Sequence, residues 1–76
     1  MEKIDLHGIK HEDVVKTMDD FLWEMMQKYK WSTLEVEVIT GISDRMKEIV
    51  RDVCQDYNFK VSEHPTNIGC LIVKIN

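Results

Sequence analysis

The stretch Leu34-Glu35-Val36-Glu37-Val38-Ile39-Thr40-Gly41-Ile42-Ser43-Asp44-Arg45-Met46 decides the fold. Leu34, Val36 and Val38 alternate with Glu35 and Glu37, the period-two pattern of a strand with one buried face. Thr40 and Gly41 end that strand. Ser43 and Asp44 then offer side-chain oxygens to the free N–H groups that begin a helix. Met46, Ile49, Val50, Val53 and Tyr57 lay an apolar stripe along one side of it. A strand that turns at a glycine and runs straight into a helix is the unit from which α/β chains are built.

The same unit occurs upstream. Residues 3–6 form a short extended run that ends at Gly8. From His11 to about Tyr29, the residues Val14, Met18, Phe21, Leu22, Met25 and Tyr29 recur at spacings of three and four, which is a helix face. Downstream, residues 58–63 read as a strand through Phe59 and Val61. Residues 70–75 are a near-continuous apolar run, as expected of a strand central in its sheet. The order is βαβαββ. Right-handed crossovers make the first three strands parallel, and the short connection at residues 65–69 turns the last strand back. The expectation is an α/β (α+β sandwich) fold: a four-stranded mixed sheet packed with two helices, as one domain over residues 1–76.

Composition narrows the function classes. Seventy-six residues hold one core at most. The formal net charge is -4, which argues against strong non-specific binding to nucleic acid, because that affinity comes from Lys and Arg neutralising phosphates. No apolar run approaches the roughly 18 residues of a membrane span. The charged start Glu2-Lys3-Ile4-Asp5 is unlike a signal peptide. Cys54 and Cys70 lack a CxxC spacing and each lies in an apolar stretch. They read as reduced core thiols of a cytoplasmic protein.

Gly8, Gly41 and Gly69 each follow or precede a strand, so the topology places all three on one edge of the sheet. That edge, at the carboxyl ends of parallel strands, is where open α/β sheets bind ligands. Helix N-termini there favour phosphate. Three short motifs lie along it. In Asp5-Leu6-His7-Gly8, Asp5 and His7 are two apart, which on a strand points both to one face. A carboxylate beside an imidazole fixes its tautomer and raises its basicity, which suits proton transfer at a ribose hydroxyl, a water or a leaving oxygen. In Thr40-Gly41-Ile42-Ser43-Asp44-Arg45-Met46-Lys47, a glycine turn meets a helix start, with Arg45 and Lys47 supplying charge for a phosphate. The GxxxxGK[ST] loop is absent. In His64-Pro65-Thr66-Asn67-Ile68-Gly69, Asn67 and Gly69 suit a turn, and His64 would approach His7 if the loop lies on the same edge. Taken singly, the three motifs are equally explained as a strand end in solvent, a capped helix and a tight turn. The histidines show no zinc-ligand spacing, so no metal residue is assigned. Trp23 shares a helix face with Glu12, Lys16, Asp20, Gln27 and Lys30, which suits a partner contact or a base-stacking platform, or packing under a terminus or against Trp31.

Together these residues resemble a known family. Ile4-Asp5-Leu6-His7-Gly8 matches the LDLHG opening of small MutS-related (Smr) domains. The strand ending at Thr40 and Gly41 matches that family's HGxG or TGxG, with Ser43 standing at the second glycine. Met46-Lys47-Glu48-Ile49-Val50 loosely matches its Leu-Arg-Lys-x-Val helix. Asn67-Ile68-Gly69 matches its late Asn-x-Gly turn. Lys10 stands where the family often has a capping Thr or Ser. The resemblance covers nearly the whole chain and implies the fold of the C-terminal domain of translation initiation factor three.

It also implies endonuclease activity on RNA, including mRNA on ribosomes, or nicking of DNA. By resemblance Asp5 and His7 would be catalytic, and Gly8, Thr40, Gly41 and Asn67 would shape the substrate groove; the motifs themselves add Ser43, Arg45, Lys47 and Gly69 as substrate-binding candidates and His64 as an auxiliary one. No cofactor is implied with certainty, and a divalent metal stays open. So does the alternative of a non-catalytic module that binds nucleic acid, a ribosome or a protein partner, with Trp23 in contact. A small phosphate-ligand site is a third reading. No membrane partner is expected.

Overall fold

A computed structural model of the chain describes residues 1–30 and 32–75. Its elements follow the expected order: β1 (Glu2–Asp5), α1 (His11–Lys28), β2 (Leu34–Ile39), α2 (Asp44–Asp56), β3 (Lys60–Glu63) and β4 (Cys70–Ile75). The four strands make one sheet in the order β1-β2-β4-β3. Strands β1 and β2 are parallel, and β4 is antiparallel to both of its neighbours, β2 and β3. The first three strands therefore run one way and β4 runs back between two of them.

The register separates the two faces. Val36 pairs with Val73 and Val38 with Leu71. All four are buried in one cluster with Val14, Met18, Leu22 and Met25 of α1 and Met46, Ile49, Val50 and Val53 of α2. Both helices thus cover the same face of the sheet. Burying a side chain of this size stabilises by about 1.5–3 kcal/mol relative to exposure, so the periodic stripes decide which way each helix turns. The other face is largely polar, and Lys3 pairs with Glu37 and Glu35 with Lys74 across it. Opposite charges directly across a ladder favour that register. Both cysteines are free and buried. Cys54 lies in the core, where burial pushes its thiol up to about 11. Cys70 starts β4 on the opposite face from Leu71.

Two boundaries differ from the sequence expectation. Asn58 belongs to the end of α2, not to β3. It is left-handed (φ 60°), and its N–H donates to the Gln55 carbonyl at 3.0 Å while Phe59 N–H donates to the Cys54 carbonyl at 3.0 Å. This is a Schellman ending with Asn in the position usually taken by Gly. Secondly, β1 ends at Asp5, so His7 lies in the turn beyond the strand. The alternation that placed Asp5 and His7 side by side does not reach His7.

Candidate functional site at the glycine edge

The turns after β1 and β2 stand beside each other, and between them opens a cleft of about 780 Å³. His7 and Gly8 form one wall with the start of α1 at residues 10–12. Residues 40–43 and Met46, at the start of α2, form the other. Both helices therefore begin at the cleft, and the free N–H groups of a helix start carry partial positive charge.

Each wall is held by its own local chemistry. Gly8 adopts φ 87° with nothing within 4 Å of where a Cβ would sit, so the left-handed backbone alone requires glycine there. Gly41 adopts φ 70°, and a Cβ on it would lie 3.3 Å from His7 Cδ2. The imidazole thus rests against the bare Gly41 backbone. The Asp5 carboxylate accepts from the His7 backbone N–H at 2.9 Å. Among the described residues it makes no hydrogen bond to the imidazole. Asp5 therefore fixes the turn that carries His7, and the expected carboxylate–imidazole pairing is corrected accordingly.

Thr40 is 2% exposed. Its hydroxyl reaches the Gly41 and Gly69 carbonyls at 2.7 and 3.2 Å, and the Thr40 and Gly41 N–H groups donate to the Gly69 carbonyl at 2.8 and 3.0 Å. A Cβ on Gly69 would come within 3.4 Å of Gly41. The third glycine thus lets the β2 and β4 turns close against each other. Ser43 has ordinary extended backbone angles, and its side chain accepts from Met46 N–H at 3.1 Å. Serine in place of the second glycine leaves this turn unstrained and caps α2, worth about 1 kcal/mol. The start of α1 differs, because Lys10 makes no side-chain cap.

Several expected site residues stand elsewhere. Arg45 pairs with Glu48 on the exposed side of α2. The Lys47 ammonium donates to the Ile68 carbonyl and lies 3.6 Å from a Glu63 oxygen, and its side chain is 11% exposed. Arg51 pairs with Glu63. That guanidinium, with Lys47 beside it, holds the Glu63 carboxyl below the usual range. Neither Arg45 nor Lys47 borders the cleft, because nearby carboxylates and a carbonyl already take their donors. Asn67 accepts from Gly69 N–H at 2.9 Å and shapes its own turn. His64 does not approach the cleft. Its Nδ1 accepts from the Thr66 and Asn67 N–H groups at 3.1 and 3.0 Å, and it lies near Glu35 and Ile72 on the open face of the sheet. Trp23 is 57% exposed on α1 and is remote from the cleft lining. Its suggested contact with Trp31 lies outside the described residues.

The cleft also holds residues that the sequence reading did not select: Lys10, His11, Glu12, Ile42 and Met46. A usable signal existed, since residues that open a helix at the glycine edge must border whatever binds there. Among the described residues no three His, Cys, Asp or Glu side chains gather as a metal-ligand set. The residues present do not fit a dedicated metal centre.

No protein-family model and no curated protein matches the sequence. Solved structures do match. A human small-MutS related domain superposes with a TM-score of 0.79 at 24% identity, over 96% of this chain and 99% of that one. The Smr domain of Thermus thermophilus MutS2 superposes with a TM-score of 0.80 at 16% identity, over 100% of this chain and 99% of that one. The chain therefore has the fold of Smr domains, α+β with a four-stranded mixed sheet and two helices. No helix among the described residues is long and apolar enough to cross a membrane.

Proposed function

We propose that the cleft cleaves phosphodiester bonds in nucleic acid, with His7 as a proton-transfer group. One observation carries this reading. The His7 side chain is exposed at the cleft, its ring rests on Gly41 between two helix starts, and Asp5 fixes the turn beneath it. An exposed imidazole held in this way suits a proton-transfer group. The adjacent helix N–H groups suit the phosphate oxygens. Lys10 adds a cation at the same wall. Gly8, Gly41 and Ser43 shape the cleft, and Thr40, Asn67 and Gly69 hold its turns. The Smr fold of the two structural neighbours supports a nucleic-acid-related role. The chain acts as one domain in the cytoplasm.

The test is cleavage of single-stranded, duplex and hairpin RNA and DNA by the parent and by His7→Ala. A loss of about 10²–10⁴-fold is expected for a missing proton-transfer group. Equal rates would sink the assignment.

A second reading has its own observation. The net charge is -4, and Arg45, Lys47 and Arg51 are all engaged by carboxylates. That suits a non-catalytic module bound to a ribosome, to structured nucleic acid or to a protein, with Trp23 in contact. Binding that survives His7→Ala but fails with Trp23→Ala would favour it.

A further inference from the structure

We infer that β1 is a docking edge for a second copy of this chain, paired antiparallel about a two-fold axis at Ile4. The strand lies at one side of the sheet. Leu6 N–H donates to the Ile39 carbonyl, so the backbone groups of residues 2, 4 and 6 point at β2 and those of Lys3 and Asp5 point outward. Among the described residues, the backbone N–H and C=O groups of Lys3 and Asp5 make no hydrogen bond, and Asp5 uses only its carboxylate, on His7 N–H. Both residues are exposed. An edge in this state is a template for another strand.

Charged side chains ordinarily guard such an edge, but β1 carries opposite signs two positions apart, which makes it complementary to itself. A second copy that extends the sheet and keeps its helices on the same side must match the alternation of side chains between faces. It can therefore be centred on Lys3, Ile4 or Asp5. Centring on Lys3 or on Asp5 sets like charges directly opposite. Centring on Ile4 sets Lys3 opposite Asp5 of the second copy and Asp5 opposite its Lys3. These are also the residues whose backbone groups point outward, so each pair exchanges both N–H···O=C bonds. Within its own sheet Lys3 already stands opposite Glu37, whereas Asp5 stands opposite Ile39. The second copy thus gives Asp5 the cross-strand cation that its own sheet does not. On the helix side, half-buried Ile4 meets its counterpart at the axis. Phe21, also half-buried against the core, lies two turns before Lys28, on the flank of α1 that reaches Glu2 of β1. The other outer strand, β3, offers no such match. His64 N–H donates to the Cys70 carbonyl, so Val61 and Glu63 point their backbone groups outward. Centring on Val61 or Ser62 sets no unlike charges opposite, Glu63 is already held by Arg51, and Pro65 follows. Because the joined β1 strands run oppositely, the two clefts open at opposite ends of the sheet, and the inference is independent of the cleavage reading.

A contact of this size belongs with weak interfaces, so the test is sedimentation of the chain from about 10 μM to about 1 mM, with amide hydrogen exchange at both ends of that range. The mass is expected to double toward the upper end. The Lys3 and Asp5 amides should gain protection with concentration, and those of Val61 and Glu63 should not. Lys3→Glu sets like charges opposite at both ends of the contact and should weaken association about tenfold. Lys3→Pro removes an outward N–H and no bond to β2, so it should abolish association while the urea midpoint of the dilute protein stays near the parent's. Lys3→Glu mixed with Asp5→Lys should associate again, because each variant then faces its opposite. A chain that stays monomeric at the upper concentration overturns the inference. So does a dimer whose newly protected amides lie on β3, or one that Lys3→Glu and Lys3→Pro leave intact.

Discussion

The cleft beside His7 and the ledge formed by Lys47, Arg51 and Glu63 both border the first turns of α2. They differ in whether their polar groups are already in use. On the ledge, Lys47 holds the Ile68 carbonyl and neighbours Glu63, and Arg51 pairs with the same carboxylate. These contacts tie α2 to β3 and to the turn before β4. In the cleft, the side chains of His7, Lys10 and His11 make no hydrogen bond among the described residues. Of the two, the ledge has more cations, Lys47 and Arg51 against Lys10, yet the proposed site is the cleft. A charge counts toward binding only when the fold leaves it free, and the ledge's charges hold the molecule together.

The largest effects should fall on the two sides in opposite ways. His7→Ala removes about 10²–10⁴-fold of cleavage, whereas Arg51→Ala, on the ledge, leaves the rate unchanged. If Arg51→Ala is as damaging as His7→Ala, the ledge is part of the site and the contrast fails. Lys47→Met should do the reverse. Losing the exposed hydrogen bond to the Ile68 carbonyl and the contact with Glu63 costs about 0.5–1.5 kcal/mol, read as a lower urea midpoint. Nucleic-acid affinity and its salt dependence should stay as in the parent. Lys10→Met should keep the midpoint and flatten the salt slope by about one phosphate contact.

The glycine turns sharpen the contrast within the cleft itself. Alanine at Gly8 or Gly41 forces a left-handed backbone on a residue with a Cβ, at about 1–2 kcal/mol. Only at Gly41 does the new Cβ also press on the His7 ring, at 3.3 Å. Both variants should melt lower by similar amounts. Gly41→Ala should lose much more cleavage than Gly8→Ala. Equal losses would mean that the ring's seat on Gly41 does not matter.

Much of this architecture is legible in the sequence because burial imposes periodicity. The α1 stripe through Val14, Met18, Leu22 and Met25 and the β2 alternation at Val36 and Val38 reappear as the core. The cleft was legible as an edge, since glycines and helix starts mark it. The partners were not. Lys47 and Glu63 are sixteen positions apart in sequence, and Lys47 meets the Ile68 carbonyl twenty-one positions on. Nothing local says that the Lys47 donor is taken, whereas Arg45 meets Glu48 only three positions on. Asp5 misled for a related reason: a side chain two residues before an N–H can turn back onto it, and the sequence looks the same whether the acceptor faces the backbone or the ring. Ser43 shows the opposite case, a departure from the TGxG pattern that the chain resembles and a helix cap in the structure.

The smallest predicted effect concerns acid. Glu63 titrates below its ordinary value of 4.5, first because of its hydrogen bond to Arg51 and with Lys47 adding to it, while burial opposes the shift. Glu2 is lowered too, first by the Tyr29 hydroxyl at 2.7 Å and then by the Lys28 ammonium at 3.1 Å, which together join the start of β1 to the end of α1. A carboxyl lowered in the folded state binds fewer protons there than in the unfolded chain, so stability rises with pH across that range. The contribution is complete above about pH 4.5 and is lost as pH falls through the lowered folded values. Urea midpoints measured from pH 7 down to pH 3 should therefore drop, and Glu63→Gln and Glu2→Gln should each make the drop shallower. Gln keeps the shape but has no proton to bind in this range.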